Sequence, residues 1–158
     1  MNALYAFDPG LITGIAVGSY SDSEPYELDR CMALSFEDLS ESFWDREWQY
    51  NSTIVIEKFI PNPGNQFTLS QDDIVGVQVE GMLKHVFGAE NINWQLRSDK
   101  GKAGVMDKVL KEHGLWQTGD DVNWIDGRDA NDAIIHSLVY LRNIGHEPTL
   151  RKYFRNEV

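Results

Sequence analysis

The sequence predicts an α/β fold with a mixed β-sheet, and two observations support this fold class. Three short apolar segments lie close together at the start of the chain, as in antiparallel strands joined by turns. Two later apolar segments alternate with stretches of helical periodicity, which is typical of strands connected by helices. The predicted order of elements is therefore βββαβαβαα, with five strands in a single domain of 158 residues.

The first predicted hairpin joins two apolar strands, 3–7 and 12–17, across a Pro-Gly turn. Its first strand is apolar throughout, so we expect this strand to be buried on both faces, and it ends on Asp8. A buried carboxylate is costly unless a counter-charge or a metal ion matches it. From this segment alone, turn capping by Asp8 and metal ligation explain the residue equally well.

The other strands and helices follow from hydrophobic periodicity and from helix-capping residues. The segment 52–57 is β-branched and apolar, which predicts a central strand that ends on Glu57. Ser70, followed by acids in the first turn, favours the start of a helix. The remaining predicted elements are a strand over 27–34, a helix over 36–50, a helix from 69 or 70 to 87, a strand over 91–96, a helix over 103–113, and a last helix from 126 or 127 to 142 or 143, followed by a polar tail.

Two acids near the start of the last predicted helix, Asp129 and Asp132, project from one helix face because they lie three residues apart. The helix dipole explains one acid in a first turn, and we expect Asp126 to be the N-cap. With Asp8 and Glu57 they make four carboxylates at the ends of buried elements, a cluster that requires divalent cations if these ends meet. Such oxygen ligands suit Mg²⁺ or Mn²⁺. Two ions about 4 Å apart would clamp the attacking water and the leaving oxygen of a phosphodiester, which predicts metal-dependent hydrolysis.

Three segments of the chain resemble motifs of the RuvC-type Holliday junction resolvases, which belong to the ribonuclease H-like superfamily. They are FDPGLITGIAV at 7–17, the strand end Ile56-Glu57, and the D-x-x-D-A pattern over 129–133. The three motifs occur in the family order across about the whole chain, which is more specific than any one of them. The resemblance implies a ribonuclease H-like fold with helices flanking the sheet, a RuvC-like nuclease domain over 1–158, a homodimer, two Mg²⁺ (or Mn²⁺) ions per active site, and paired nicks in branched DNA at a four-way junction.

The resemblance also implies cations at two places. Family members carry a lysine soon after the fifth strand, where Arg97 stands here, and another in an acid-lysine pair that opens the next helix, matched by Lys108. A cation there would stabilise the charge that develops on the phosphate. We therefore predict that Lys108 is catalytic and that Arg97 binds DNA. Lys100 and Lys102 are further DNA-binding candidates, although they, like Lys111, are better explained as solvated helix residues.

Two aromatic residues and one histidine each have two interpretations. Phe59 and Phe67 lie in a loop rich in proline and asparagine, where they are candidates for stacking on unpaired DNA bases or for filling the core. His136 follows Asp132 by four residues on the same helix face. We interpret it as a satisfied, half-buried histidine in preference to a contributor to the metal site.

The charge of the chain limits its partners. A net charge of −11 argues against binding nucleic acid, whose phosphates need lysine and arginine. However, nine acids and only two bases lie between residues 19 and 50, whereas five bases and two acids lie between 97 and 111. A basic surface therefore remains. The sequence leaves three functions open: a four-way junction resolvase, a flap or other branched-DNA endonuclease, and a non-catalytic junction-binding module.

The cysteine count and the apolar runs indicate the compartment. Cys31 is the only cysteine, which excludes a disulfide framework and fits a reducing environment. No apolar run reaches the length of a transmembrane helix, so we predict no membrane partner. We expect a cytoplasmic location, which is the host-cell cytoplasm if the protein is phage-encoded, as its short chain suggests.

Overall fold

A five-stranded mixed sheet forms the centre of the computed structural model, which describes residues 1–45, 52–60, 70–102, 104–118 and 128–155. The sheet has the strand order β3-β2-β1-β4-β5. The strands are β1 Asn2–Asp8, β2 Ile12–Tyr20, β3 Glu27–Ser35, β4 Thr53–Glu57 and β5 Ile92–Gln95. The helices are α1 Phe36–Asp45, α2 Gln71–Phe87, α3 Val105–Glu112, α4 Arg128–Asn143 and α5 Glu147–Tyr153, and a 3₁₀ turn, Arg97–Lys100, follows β5.

The pairing of the strands brings the ends of β1 and β4 to one edge of the sheet. β1 and β2 form an antiparallel hairpin that β3 extends, whereas β1, β4 and β5 run parallel. Phe7 of β1 pairs with Ile56 of β4, and the next residue on each strand is Asp8 or Glu57. The predicted mixed sheet is confirmed, and its register places these two carboxylates on neighbouring strands.

Alternation along the strands decides which helix the two carboxylates face. Leu4 and Ala6 of β1 and Val55 of β4 pack in the core that α4 covers. The intervening residues of these strands pack in a second core on the opposite face, against α1 and α2. Because side chains two positions apart point to the same face, Asp8 and Glu57 point toward α4.

The predicted element order holds in the described residues, with one addition. Ser70 caps α2, since its hydroxyl accepts from the Asp73 N–H at 3.1 Å and the Asp73 side chain accepts from the Ser70 N–H. The predicted polar tail contains α5, whose first turn holds Pro148, a residue favoured there because a helix start needs no N–H. Residues 46–51, the predicted N-cap Asp126 and residue 103 lie outside the described residues. Among the helices of the described ranges, none has the length and apolar character needed to cross a membrane.

Candidate functional site

Four side chains from β1, β4 and α4 meet at the edge of the sheet where β1 and β4 end. Asp8 and Glu57 are buried there, with 8% and 5% of their surface exposed. Asp132 and His136 lie one turn apart on α4, which packs over this face of the sheet. Two of the carboxylates predicted from the sequence are therefore inside the protein, where an unmatched charge is costly.

A glycine in β2 allows the first turn of α4 to approach the sheet. A Cβ atom on Gly14 would lie 1.8 Å from the carbonyl oxygen of Asp129, so the helix backbone rests directly on the strand at this position. Because no other residue lacks a Cβ atom, only glycine permits this approach. The contact places the start of α4, with Asp129 and Asp132, beside the end of β1.

Lys100 joins the carboxylates in this cluster. Its Nζ lies 3.0 Å from Glu57 Oε2 and 3.4 Å from Asp132 Oδ1, and only 15% of its side chain is exposed. The interpretation of Lys100 as a solvated helix residue is therefore wrong. The cause is the 3₁₀ turn, in which residues three apart lie on the same side, so Arg97 and Lys100 both reach Glu57. Arg97 Nε lies 3.2 Å from Glu57 Oε1, and its side chain is largely exposed.

Burial and neighbouring charges give the two strand-end carboxyls opposite pKa shifts. Burial raises the pKa of Asp8 to about 8, and the nearby Glu57, Asp132 and Asp129 carboxylates add to the effect against the opposing charge of Lys100. Burial also raises the pKa of Glu57, but the hydrogen bond with His136 and the ammonium of Lys100 outweigh it and bring that pKa to about 2. In the metal-free protein these shifts favour an ionised Glu57 and a protonated Asp8.

His136 is fully buried and contacts Glu57, so the half-buried position expected for it is wrong, whereas both of its ring nitrogens are hydrogen-bonded as expected of a satisfied histidine. Its Nε2 lies 2.6 Å from Glu57 Oε2, and its Nδ1 lies 2.6 Å from Oε1 of Gln95. Burial lowers the pKa of the imidazole and favours its neutral form. The four-residue spacing from Asp132 was the available sequence signal. Gln95 was missed because only the strand register, in which it pairs with Glu57, reveals its position.

Asp8, Glu57 and His136 fit a divalent metal ion. Each offers one ligand atom, and these atoms all lie within 4.8 Å of one another. Carboxylate oxygens and a neutral imidazole nitrogen are suitable ligands for divalent ions of the first transition row. Asp132, linked to the group through Lys100, and Asp129, which raises the pKa of Asp8, lie close to it. The four predicted carboxylates are thus in one region, and their roles as ligands stay predictions.

Two predicted cationic residues lie on the protein surface. Lys108 on α3 has 76% of its side chain exposed and forms an ion pair with Glu112, at 3.5 Å, one helical turn away. Lys102 is also exposed. The catalytic role of Lys108 and the DNA contact of Lys102 stay predictions.

The two candidate stacking residues have different outcomes. Phe59 is half-buried, and its ring covers Gly76 of α2, where a Cβ atom would lie 2.4 Å from the ring. Its backbone N–H donates to Oε2 of Glu80 at 3.0 Å. These contacts agree with the core-filling alternative for Phe59, and base stacking by it stays a prediction. Phe67 lies outside the described residues.

Comparison with known proteins places the fold. No protein-family model matches the chain, and no curated protein matches its sequence. Among solved structures, the Fowlpox virus resolvase in complex with Holliday junction DNA is 13% identical, with a TM-score of 0.56 over 90% of this chain and 99% of that one. Thermus thermophilus RuvC in complex with a Holliday junction substrate is 9% identical, with a TM-score of 0.53 over 91% of this chain and 97% of that one. The chain therefore has the RuvC-like, ribonuclease H-like fold that the motifs predicted.

Proposed function

We propose that the protein is a metal-dependent, structure-selective endonuclease that hydrolyses DNA phosphodiesters at four-way junctions. The single observation that supports this best is the buried group of Asp8, Glu57 and His136 beside Asp132, at the strand ends of a RuvC-like sheet. A buried group of this composition suits divalent cations. Its neighbours in fold are resolvases in complex with Holliday junction DNA, which supports branched DNA as the substrate.

The carboxylates of Asp8, Glu57, Asp129 and Asp132 would hold Mg²⁺ or Mn²⁺, with two ions per active site as the predicted complement. The bound ions would supply an activated water and stabilise the charge on the leaving oxygen. Ionised Glu57 is ready to bind a cation, whereas Asp8 must first lose the proton that burial helps it retain.

The cationic side chains beside the carboxylates are suited to contact a DNA phosphate. Arg97 contacts Glu57 with one nitrogen, and 84% of its side chain is exposed, so its guanidinium can also meet DNA. The ammonium of Lys100 lies inside the group, at a distance suited to balance negative charge that develops during hydrolysis. We propose Arg97 and Lys102 as contacts to the DNA backbone and Lys108 as a catalytic cation.

We also propose a homodimer, because paired nicks across a four-way junction require two active sites. Its proposed contact is α2, where Ile74 and Val77 have 44% and 48% of their surface exposed. Apolar side chains on one exposed helix face favour association.

The proposed function is tested with labelled four-way junctions, flaps and linear duplex, each incubated with the purified protein and Mg²⁺ or Mn²⁺. We expect symmetric nicks in the junction. Asp8→Asn should reduce the rate by at least about 10²–10³-fold, because a ligand of the metal ions is lost. Asp22→Asn in the exposed turn between β2 and β3 is the matched control and should keep the full rate.

Each other result would point to one of the alternatives. Preferred cleavage of flaps or duplex would keep the chemistry and replace the substrate. Binding of junctions without cleavage under either metal would contradict the nuclease and indicate a junction-binding module.

A further inference from the structure

The side chain of Gln95 fixes the orientation and the proton of the His136 ring. Its amide nitrogen donates to the main-chain carbonyl of His136 at 3.2 Å, so its amide oxygen must be the atom 2.6 Å from Nδ1. An amide oxygen only accepts hydrogen bonds. Nδ1 therefore carries a ring proton. Gln95 has 4% of its surface exposed, so water does not compete for this contact.

The other ring nitrogen then points at the carboxylate group. This atom, Nε2, lies 2.6 Å from Glu57 Oε2, which is the distance of a hydrogen bond, so one proton lies between these two atoms. Lys100 also contacts Glu57 Oε2, and Arg97 contacts Glu57 Oε1. Without the shared proton, Nε2 and Oε2 both direct a lone pair to the same point, and a metal ion that replaces this proton takes both atoms as ligands.

We propose that His136 Nε2 is a metal ligand, together with Asp8 and Glu57, and that this position therefore prefers Mn²⁺ to Mg²⁺. The inference rests on the metal centre of the proposed function and adds a nitrogen ligand to it. An imidazole suits first-row transition ions, whereas Mg²⁺ prefers oxygen. A histidine that binds a metal ion usually donates its other ring N–H to an oxygen atom. Here Oε1 of Gln95 accepts that hydrogen bond.

The distances agree with this role after a small adjustment. Two neighbouring ligands at about 2.1 Å from an octahedrally coordinated ion lie about 3 Å apart. The distance from Nε2 to Glu57 Oε2 is 2.6 Å, so the two side chains need to separate by a few tenths of an ångström. The carboxylate can move this far by rotating about its terminal torsion, which is soft.

The test is pulsed electron paramagnetic resonance of Mn²⁺ bound to the full chain without DNA, combined with calorimetric titration of Mn²⁺ and Mg²⁺. We expect ¹⁴N modulation from one imidazole, which changes to the ¹⁵N pattern when the histidines are ¹⁵N-labelled. His136→Gln should remove the modulation and weaken Mn²⁺ binding by about tenfold or more, with a smaller effect on Mg²⁺. His85→Gln on the exposed surface of α2 is the matched control and should change neither.

Different results separate this inference from the proposed function. Mn²⁺ binding without nitrogen modulation in the wild-type protein overturns the ligand role of His136 and leaves the metal-dependent nuclease intact. No binding of either ion overturns both. If His136→Gln does not fold, the labelling experiment is repeated on variants that lack His85, His113 or His146, and modulation that persists in all three assigns the ligand to His136.

Discussion

His136 on α4 and His146 in the turn after α4 differ in the hydrogen-bond partners of their two ring nitrogens. His146 belongs to a chain in which each donor meets an acceptor. The Tyr26 N–H donates to the Thr149 hydroxyl at 3.0 Å, this hydroxyl donates to His146 Nδ1 at 2.8 Å, and His146 Nε2–H donates to the Ser21 carbonyl at 2.8 Å. His136 instead lies between two acceptors, Gln95 Oε1 and Glu57 Oε2.

The difference separates a polar cluster that stabilises the fold from the charged cluster that we propose as the metal centre. The hydrogen-bonded chain around His146 ties α5 to the turn between β2 and β3. The cluster around His136 contains carboxyls with opposite pKa shifts and a buried ammonium. Groups with perturbed pKa values that are clustered with opposite charges are enriched at functional sites.

The largest expected effect comes from the close contact between Gly14 of β2 and the start of α4, beside the charged cluster. Gly14→Ala introduces a Cβ atom 1.8 Å from the Asp129 carbonyl, so α4 or β2 must move. We expect a loss of about 3 kcal/mol in unfolding free energy, measured by urea denaturation, and loss of Mn²⁺ binding. The control is Gly81→Ala on α2, where no described atom lies within 4 Å of the new methyl group and a gain of about 0.5–1 kcal/mol is expected. Equal effects of the two substitutions would contradict the positioning role of Gly14.

The next effect concerns the charge of Asp8. Its folded pKa of about 8 lies above the ordinary value of 3.8, so the folded protein binds more protons than the unfolded one between these pH values. The metal-free protein should therefore lose stability as pH rises from about 4 to about 8. Asp8→Asn has no such charge, and we expect it to exceed the wild type by about 1–3 kcal/mol at pH 8.

Thermal unfolding at pH 5 and pH 8 in the presence of a chelator measures this difference. The advantage of Asp8→Asn should shrink at pH 5, where the wild-type carboxyl is protonated in the folded state. An advantage of the same size at both pH values would mean that Asp8 is ionised throughout and that its burial costs little. Glu57 has the opposite sign, since its lowered pKa adds stability above its ordinary range that is lost as pH falls toward about 2.

A smaller effect is expected in the hydrogen-bonded chain around His146. Thr149→Val keeps the shape of a fully buried side chain but leaves the Tyr26 N–H and His146 Nδ1 without their partner. The cost should be about 1–3 kcal/mol, which is roughly 2–10 °C in Tm. Mn²⁺ affinity should stay unchanged, because this cluster has no part in the metal centre. A change in Mn²⁺ affinity would show that the two clusters are coupled, which would contradict the distinction between them.

The smallest expected effect is on metal affinity through Lys100. Lys100→Met removes an ammonium 3.0 Å from a ligand oxygen, so Mn²⁺ should bind about tenfold more tightly in calorimetric titration while junction cleavage declines. Lys102→Met on the exposed surface is the control and should leave the affinity unchanged. Unchanged affinity in Lys100→Met would show that the ammonium and the ion do not compete.

The parts of the site that the sequence predicted are those that local patterns reveal. Asp8 and Glu57 each end a continuous apolar run, and a charge at the end of a buried strand is visible without knowledge of the fold. Asp129 and Asp132 were visible because three-residue spacing on a helix defines one face. The sheet and its flanking helices followed from the same periodicities.

The missed parts depend on contacts between elements distant in sequence. Lys100 enters the cluster because a 3₁₀ turn follows β5, and a turn of four residues leaves no periodic pattern. His136 becomes a site residue through Gln95, 41 positions away, and through Glu57, 79 positions away. Each of these residues alone resembles an ordinary polar residue of a strand or helix.

The strand order β3-β2-β1-β4-β5 also has a consequence for how the protein is made. Parallel pairing of β1 with β4 must close a long intervening segment, and α4, which supplies Asp132 and His136, is synthesised later still. Non-local closures of this kind are slow steps of folding. A nascent chain therefore lacks the complete charged cluster until α4 has been synthesised and docks on the sheet.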